Sequence, residues 1–147
     1  MIPKMFIEKI KPGADQCEQS EGIPSAFTIA QAALESARGS SGLSLRANNL
    51  FGVKADSAWT GKVVAINTRE FLRGVWVTVP ALWRSYDSWA ECLIDHAHFF
   101  KVNPRYAEAL KTTNPEDFAR AVAKAGYATD PKYADKLISV MHSHNLT

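Results

Sequence analysis

A chain of 147 residues, 46% hydrophobic and 22% charged, has enough apolar surface to bury its own core and too much to remain disordered. A net charge of +2 and an isoelectric point near 8.6 are too mild to argue for a nucleic-acid partner. No apolar run reaches the length of a membrane span, and the opening MIPKMFIEKIKPG carries charges and prolines where a signal peptide needs an apolar stretch, so neither membrane insertion nor an export route is expected. Cys17 and Cys92 lie far apart with no CxxC spacing. Two reduced, packed thiols are expected in a chain made in the cytoplasm, with a single disulfide as the alternative.

Residues 4–22 read as a helix interrupted at Pro12-Gly13, with Pro12 opening the second piece and Gly22 ending it. Pro24 then opens a central Ala-rich helix running to about Gly39. Ala30, Ala33, Leu34 and Ala37 supply a narrow apolar stripe, and Thr28, Gln31 and Glu35 share a second one at i, i+3 and i+7. Residues 40–60 lack periodicity, are rich in Ser, Gly and Asn, and are expected to form a structured loop. Residues 62–71 are β-rich, with Val64, Ile66, Thr68 and Glu70 on one face. Leu72-Arg73-Gly74-Val75 can turn, and residues 76–79 can return as a partner strand that ends, or lies at an edge, at Pro80.

Ser88 and Glu91 form a capping box for a helix whose buried face is Leu93, Ile94, Ala97 and Phe100. Pro104 opens a short helix to about Leu110, Asn114 caps another that Gly126 closes, and Asp130-Pro131 opens the last, which runs to about His142. The expected architecture is α+β and mostly α-helical. It is one domain over residues 1–147, with a small β-hairpin lobe at about residues 60–84 flanking a cleft.

Two carboxyl groups are placed to do chemistry. Glu35 stands at the end of the central helix, where Ala32 and Ala33 let another element come close and draw the acid out of water. Desolvation raises a carboxyl pKa, which is what a general acid needs. Gly39 and Gly42 can stop the helix and open space beside it. The plainer reading is a solvated helix-forming Glu. Glu70 is a second carboxylate or, alternatively, an exposed strand residue paired with Arg69 or Arg73. Hydrolysis of a glycosidic bond needs a proton donor and a group that supports positive charge at the anomeric carbon. A helix delivering one Glu to a cleft, followed by a small β lobe, also matches a lysozyme-like outline, although a fold alone does not give a function.

Aromatic rings pack well on sugar C–H faces. Phe51, Trp59, Tyr86 and Tyr106 are candidates for that role, and Asn48 and Asn49 could bind an N-acetyl group or simply build a turn. His96 and His98 point in different directions on a helix, while His142 and His144 lie near the end of the chain. With no HExxH or GxSxG string, neither a metal site, a cofactor nor a Ser-His-Asp triad is expected.

The strings ALES at residues 33–36, ANNLFGVK at 47–54 and GYATDPKYA at 126–134, in that order, resemble the cell-wall glucosaminidases of glycoside hydrolase family 73. The resemblance spans roughly residues 22–140. It implies that Glu35 is the catalytic acid and that Glu70, in Thr68-Arg69-Glu70-Phe71, is the family's second acidic residue. It also implies that a tyrosine of the third string lines the cleft, with Tyr127 the position matched and Tyr133 the second choice. One departure is Ala37-Arg38, where family members commonly carry Gly and an aromatic residue.

The implied activity is cleavage of peptidoglycan after N-acetylglucosamine by a monomer, with Asn48, Asn49, Phe51, Tyr106 and Tyr133 as substrate contacts. The alternatives are a muramidase or lytic transglycosylase, or a non-catalytic glycan-binding or virion module. The Met1 start and the complete final helix favour a phage endolysin made in the cytoplasm and released to the wall, over a flagellar or autolysin domain.

Overall fold

The computed structural model describes residues 3–146, so Met1, Ile2 and Thr147 lie outside it. The first helix, α1 (Pro3–Glu21), is continuous, which corrects the expected interruption. Pro12 sits on its exposed side, where water can satisfy the carbonyl that loses its N–H partner. The adjacent Gly13 serves packing instead. A Cβ there would lie 2.7 Å from Leu93 Cδ1, so glycine lets a later helix come close.

The central helix α2 (Ser25–Ser36) is buried at every residue from Ser25 to Ala33, not along a narrow stripe. Its small side chains let α1 and the last two helices crowd round it, as a helix apolar on all sides requires. Phe27 anchors it, with ring centroids 5.8 Å from Phe100 and 4.6 Å from Phe118. Leu34 lies off the core at 36% exposure.

Helix α2 ends at Ser36, three residues before the expected stop, because Ala37, Arg38 and Gly39 all adopt left-handed backbone at φ +49°, +55° and +79°. Ser36 clamps this turn: its hydroxyl donates to Ala32 O at 2.6 Å and accepts from Gly39 N at 2.9 Å. Gly39 opens no space beside the acid. A Cβ there would stand 2.9 Å from Trp89 Cη2, so the glycine seats that indole.

The expected loop contains a short helix, α3 (Gly42–Ala47), capped by Ser41, whose hydroxyl accepts from Ser44 N at 3.1 Å. Six residues are too few to show a helical period in sequence. Asn48 follows at φ +52° and donates to Tyr86 O at 3.0 Å. Asn49 Nδ2 donates to both Val53 O and Arg84 O at 2.9 Å, and its Oδ1 accepts from Val53 N.

The lobe is an antiparallel ribbon in two parts. β1 (Val63–Ala65) pairs with β4 (Leu82–Arg84), and β2 (Thr68–Leu72) pairs with β3 (Val75–Val79) across an Arg73-Gly74 turn. Both turn residues have positive φ, the geometry of a two-residue hairpin turn. Val64, Ile66, Thr68 and Glu70 alternate as the less exposed face, as the period of two requires. The lobe is tied to the helices by Asp95, which accepts from Arg84 Nη1 at 2.8 Å and from Tyr86 Oη at 2.6 Å.

α4 (Trp89–Val102) starts at Ser88, which accepts from Glu91 N at 3.1 Å. It buries Trp89, Cys92, Leu93, His96, Ala97 and Phe100; Ile94 is 63% exposed, contrary to expectation. The i, i+3, i+4 stripe through Leu93 and Phe100 passes His96 and leaves Ile94 about 100° away. Two single 3₁₀ turns (Pro104–Tyr106 and Ala109–Lys111) replace the expected short helix. α5 (Pro115–Lys124) is capped by Asn114, and α6 (Tyr133–Ser143) follows the turn at Gly126 and Asp130. Cys17 and Cys92 are buried free thiols.

The sharp turn after Glu35 makes two neighbouring substitutions act in opposite directions. Ala37→Gly removes a left-handed alanine and is expected to stabilise the fold by about 0.5–1 kcal/mol. Gly39→Ala drives a methyl group into Trp89 and is expected to destabilise it by about 1–3 kcal/mol. Urea unfolding of both variants checks the signs.

Candidate active site

The C-terminal end of α2 carries Glu35 to the surface while Gln31, one turn earlier, is fully buried. Both side chains face α6, and the link between them is Tyr133. Its hydroxyl donates to Glu35 Oε1 at 2.8 Å and accepts from Gln31 Nε2 at 2.9 Å. Gln31 Oε1 in turn lies 2.6 Å from His96 Nε2. A buried chain of polar side chains thus runs from α4 through α2 and α6 to Glu35. The second stripe expected on α2 is real at Gln31 and Glu35, and it points to Tyr133.

Burial raises the Glu35 pKa above its ordinary value of 4.5, and the Tyr133 hydrogen bond partly offsets this by favouring the ionised form. Oε2 has no hydrogen-bond partner among the described residues, and the residue as a whole is exposed. Complete burial without a compensating charge pushes the His96 pKa down to about 3, so the imidazole is neutral at ordinary pH.

Tyr127 does not donate to Glu35. Its ring stacks on Tyr133 with centroids 5.6 Å apart and planes at 14°, so it backs the tyrosine that does. Tyr133, the second choice from the sequence, is therefore the tyrosine in contact with Glu35. Tyr127 instead lines a recess of about 420 Å³ together with Phe51, Lys54, Phe99, Arg105 and Tyr106. Phe51 and Tyr106 are almost wholly buried, so they form the floor of that recess rather than free platforms. Phe51 also stacks on His96, with centroids 3.6 Å apart.

Asn49 is corrected as a sugar contact: it is 1% exposed and its amide is spent on Val53 and Arg84. Asn48 has its amide nitrogen committed to Tyr86 O and a left-handed backbone, so it builds the turn. Trp59 and Tyr86 pack on each other on another face of α4. There they line a separate hollow with Glu21, Glu91, Ile94 and Asp95, which contains none of the groups linked to Glu35.

Glu70 faces inward on β2 and is paired with Lys54 at 3.3 Å, not with Arg69 or Arg73. Arg69 lies over the Trp76 indole, on the opposite face of the hairpin. Lys54, the partner of Glu70, lines the same recess as Tyr127, whose ring stacks on the tyrosine that holds Glu35.

Lys54, Gln31 and His96 were not singled out as site residues from the sequence. For His96 a signal was present: a histidine on the apolar stripe of a core helix must find a polar partner.

A sequence model of the family Glucosaminidase, described as mannosyl-glycoprotein endo-beta-N-acetylglucosaminidase, matches residues 11–146. The peptidoglycan hydrolase FlgJ of Vibrio cholerae is 43% identical over 92% of this chain. The chain spans 42–46% of the length of the first FlgJ relatives it matches. The C-terminally truncated glycoside hydrolase domain of Salmonella typhimurium FlgJ superposes with a TM-score of 0.85 at 38% identity, covering 99% of both chains. The catalytic domain of the Listeria monocytogenes autolysin Auto gives a TM-score of 0.88 at 31% identity, covering 99% of this chain and 85% of that one. With nearly the whole sequence inside the family model and the same mostly helical, lysozyme-like fold with its β lobe, the chain belongs to the glucosaminidase family of glycoside hydrolases, family 73.

Proposed function

We propose that this chain is a catalytic domain that hydrolyses the β-1,4 glycosidic bond after N-acetylglucosamine in peptidoglycan, with Glu35 as the general acid. The observation that carries the reading is the state of that carboxyl group. It is partly out of water, its pKa is raised, one oxygen is held by Tyr133, and the other has no hydrogen-bond partner among the described residues. A protonated Glu35 gives its proton to the leaving oxygen as the bond from C1 to that oxygen breaks, and positive charge develops on the sugar ring. A water molecule then supplies hydroxide to C1.

Glu70, positioned by Lys54, takes the water's proton in an inverting route. In the other route the substrate's own 2-acetamido oxygen attacks C1 as the leaving group departs, steadied by Glu70 or Tyr127. Water then displaces that oxygen from C1 while the water's proton returns to the Glu35 carboxylate. Tyr133 is a positioning residue for the acid in either case. The relatives named above act on bacterial walls by name, and no helix among the described residues is long and apolar enough to cross a membrane. The narrower setting is a monomeric phage lysin, made in the cytoplasm and released to the wall by a separate permeabilising protein.

Glu35→Gln is expected to lower peptidoglycan turnover by at least about a hundredfold with the fold intact. Parent-like turnover by that variant would remove Glu35 from the mechanism. Mass spectrometry of digested peptidoglycan after borohydride reduction is expected to show reduced N-acetylglucosamine at the new ends. Reduced or anhydro N-acetylmuramic acid would make the domain a muramidase or transglycosylase, and absence of cleavage would make it a binding module. Glu70→Gln separates the two routes, abolishing inversion but only slowing the substrate-assisted reaction.

The raised pKa of Glu35 also has a thermodynamic sign. Between the unfolded carboxyl's value of 4.5 and the higher folded value, the folded protein holds more protons, so this group's contribution to stability falls as pH rises through that window. Glu35→Gln removes the burden of the buried charge. Its melting temperature should exceed the parent's at pH 7, and the difference should shrink towards pH 4. A pH-independent difference between the two proteins would contradict the desolvated-acid reading.

A further inference from the structure

We propose that Gln31 and His96 are positioning residues that fix which oxygen of Glu35 carries the transferred proton. The argument rests on Glu35 being the acid, and it follows from the direction of each hydrogen bond. A carboxamide donates only through nitrogen and accepts only through oxygen. Because Gln31 Oε1 faces His96 Nε2 at 2.6 Å, the imidazole must be the tautomer with its proton on Nε2. The Gln31 Nε2–H is thereby aimed at Tyr133 Oη at 2.9 Å, which fills an acceptor position of that phenol. The phenol's own proton is left to point at Glu35 Oε1, 2.8 Å away.

With Oε1 already accepting from Tyr133, the acid's proton sits on Oε2, which has no hydrogen-bond partner among the described residues. Reversing the carboxamide would reverse the chain. Tyr133 would then donate to Gln31, and Glu35 would hold its proton on Oε1, turned away from the leaving group.

The surroundings hold this polarity. Gln31 is fully buried and His96 is 4% exposed, so neither can exchange its partner for water. The imidazole is sandwiched flat against Phe51, with planes at 10°, which blocks rotation of the ring. His96 stays neutral because burial holds its pKa far down, so the chain keeps one direction through the working pH range. The titratable groups bearing on Glu35 from the packed elements are Tyr133 and Tyr127, and burial pushes both phenols up and keeps them neutral.

The ANNLFG loop that follows the central helix is part of this arrangement. Its phenylalanine locks the ring that sets the acid.

His96→Phe keeps an aromatic ring against Phe51 and removes the N–H donor. The expected result is a fall in kcat of about tenfold, from a hydrogen-bond chain that no longer fixes the Glu35 proton, with KM little changed. The alkaline limb of the pH profile should move to higher pH, because the carboxylate loses its oriented donor. Tyr133→Phe should shift the limb in the same direction, and the double variant should shift it no further than Tyr133→Phe alone.

A folded His96→Phe protein with the parent's kcat and alkaline limb would overturn the proposal. So would full additivity with Tyr133→Phe. The unmodified protein provides a second reading: nitrogen NMR of His96 should report the Nε2–H tautomer at neutral pH, and the Nδ1–H tautomer would overturn it. Glu35→Gln keeps the two readings apart. If that variant is active, the assignment of the acid fails; if it is inactive while His96→Phe is unshifted, only the relay fails.

Discussion

The hydrogen bond from Tyr133 to Glu35 is the contact on which the candidate site, and the proposed role of Glu35 as its general acid, depends. A general acid must be dry enough to keep its proton and open enough to give it away. A carboxyl group at a helix end meets both demands only if a neighbouring element covers one side and leaves the other free. Here α6 supplies that cover. The crowding of α1, α5 and α6 round the Ala-rich α2 brings Tyr133 within reach. A larger residue at Ala30, Ala32 or Ala33, all buried at 4% exposure or less, would push those helices away and loosen the acid with them.

The helical order, the Ser88 and Asn114 caps, the hairpin and the face carrying Glu70 were legible in the sequence, since each rests on a local rule that the chain cannot evade. What escaped was set by tertiary contact. Pro12 looked like a break because sequence shows the missing N–H and not the exposed side on which its cost is small. The α3 helix was too short to show its period. Ile94 seemed as apolar as its neighbours, yet the stripe chose His96, because the buried chain to Gln31 gave that imidazole a partner.

The positions of the two candidate carboxylates were legible, and what holds them was not. Glu35, Gln31 and Glu70 were placed on the correct faces from spacing alone. The pairing of Glu70 with Lys54 crosses from the loop to the hairpin, and no local pattern encodes it. Tyr127 and Tyr133 lie in one string and cannot be ranked from it. Only the fold decides, by turning Tyr133 towards α2 and laying Tyr127 flat against it. Asn49 looked like a sugar ligand for the same reason that it is not one. A side chain with two donors and an acceptor is useful wherever backbone groups need partners, and here it closes the loop onto β4.

The departure at Ala37-Arg38 shows how far such a site tolerates local strain. The chain must reverse immediately after Glu35, and it does so with three successive left-handed residues, two of which carry side chains. An alanine and an arginine in that region each cost about 1 kcal/mol relative to glycine. The turn persists because Ser36 clamps it from both ends and Trp89 closes over Gly39. Arg38 is drawn back towards the fold, with its guanidinium 3.2 Å from His144 Nε2, and is therefore not held out as a platform for sugar. An aromatic residue at this position in relatives would offer a stacking surface beside the acid. In this chain Arg38 offers no such surface, while the hydrogen bond to Glu35 comes from within the fold, through Tyr133 on α6 backed by Gln31 on α2.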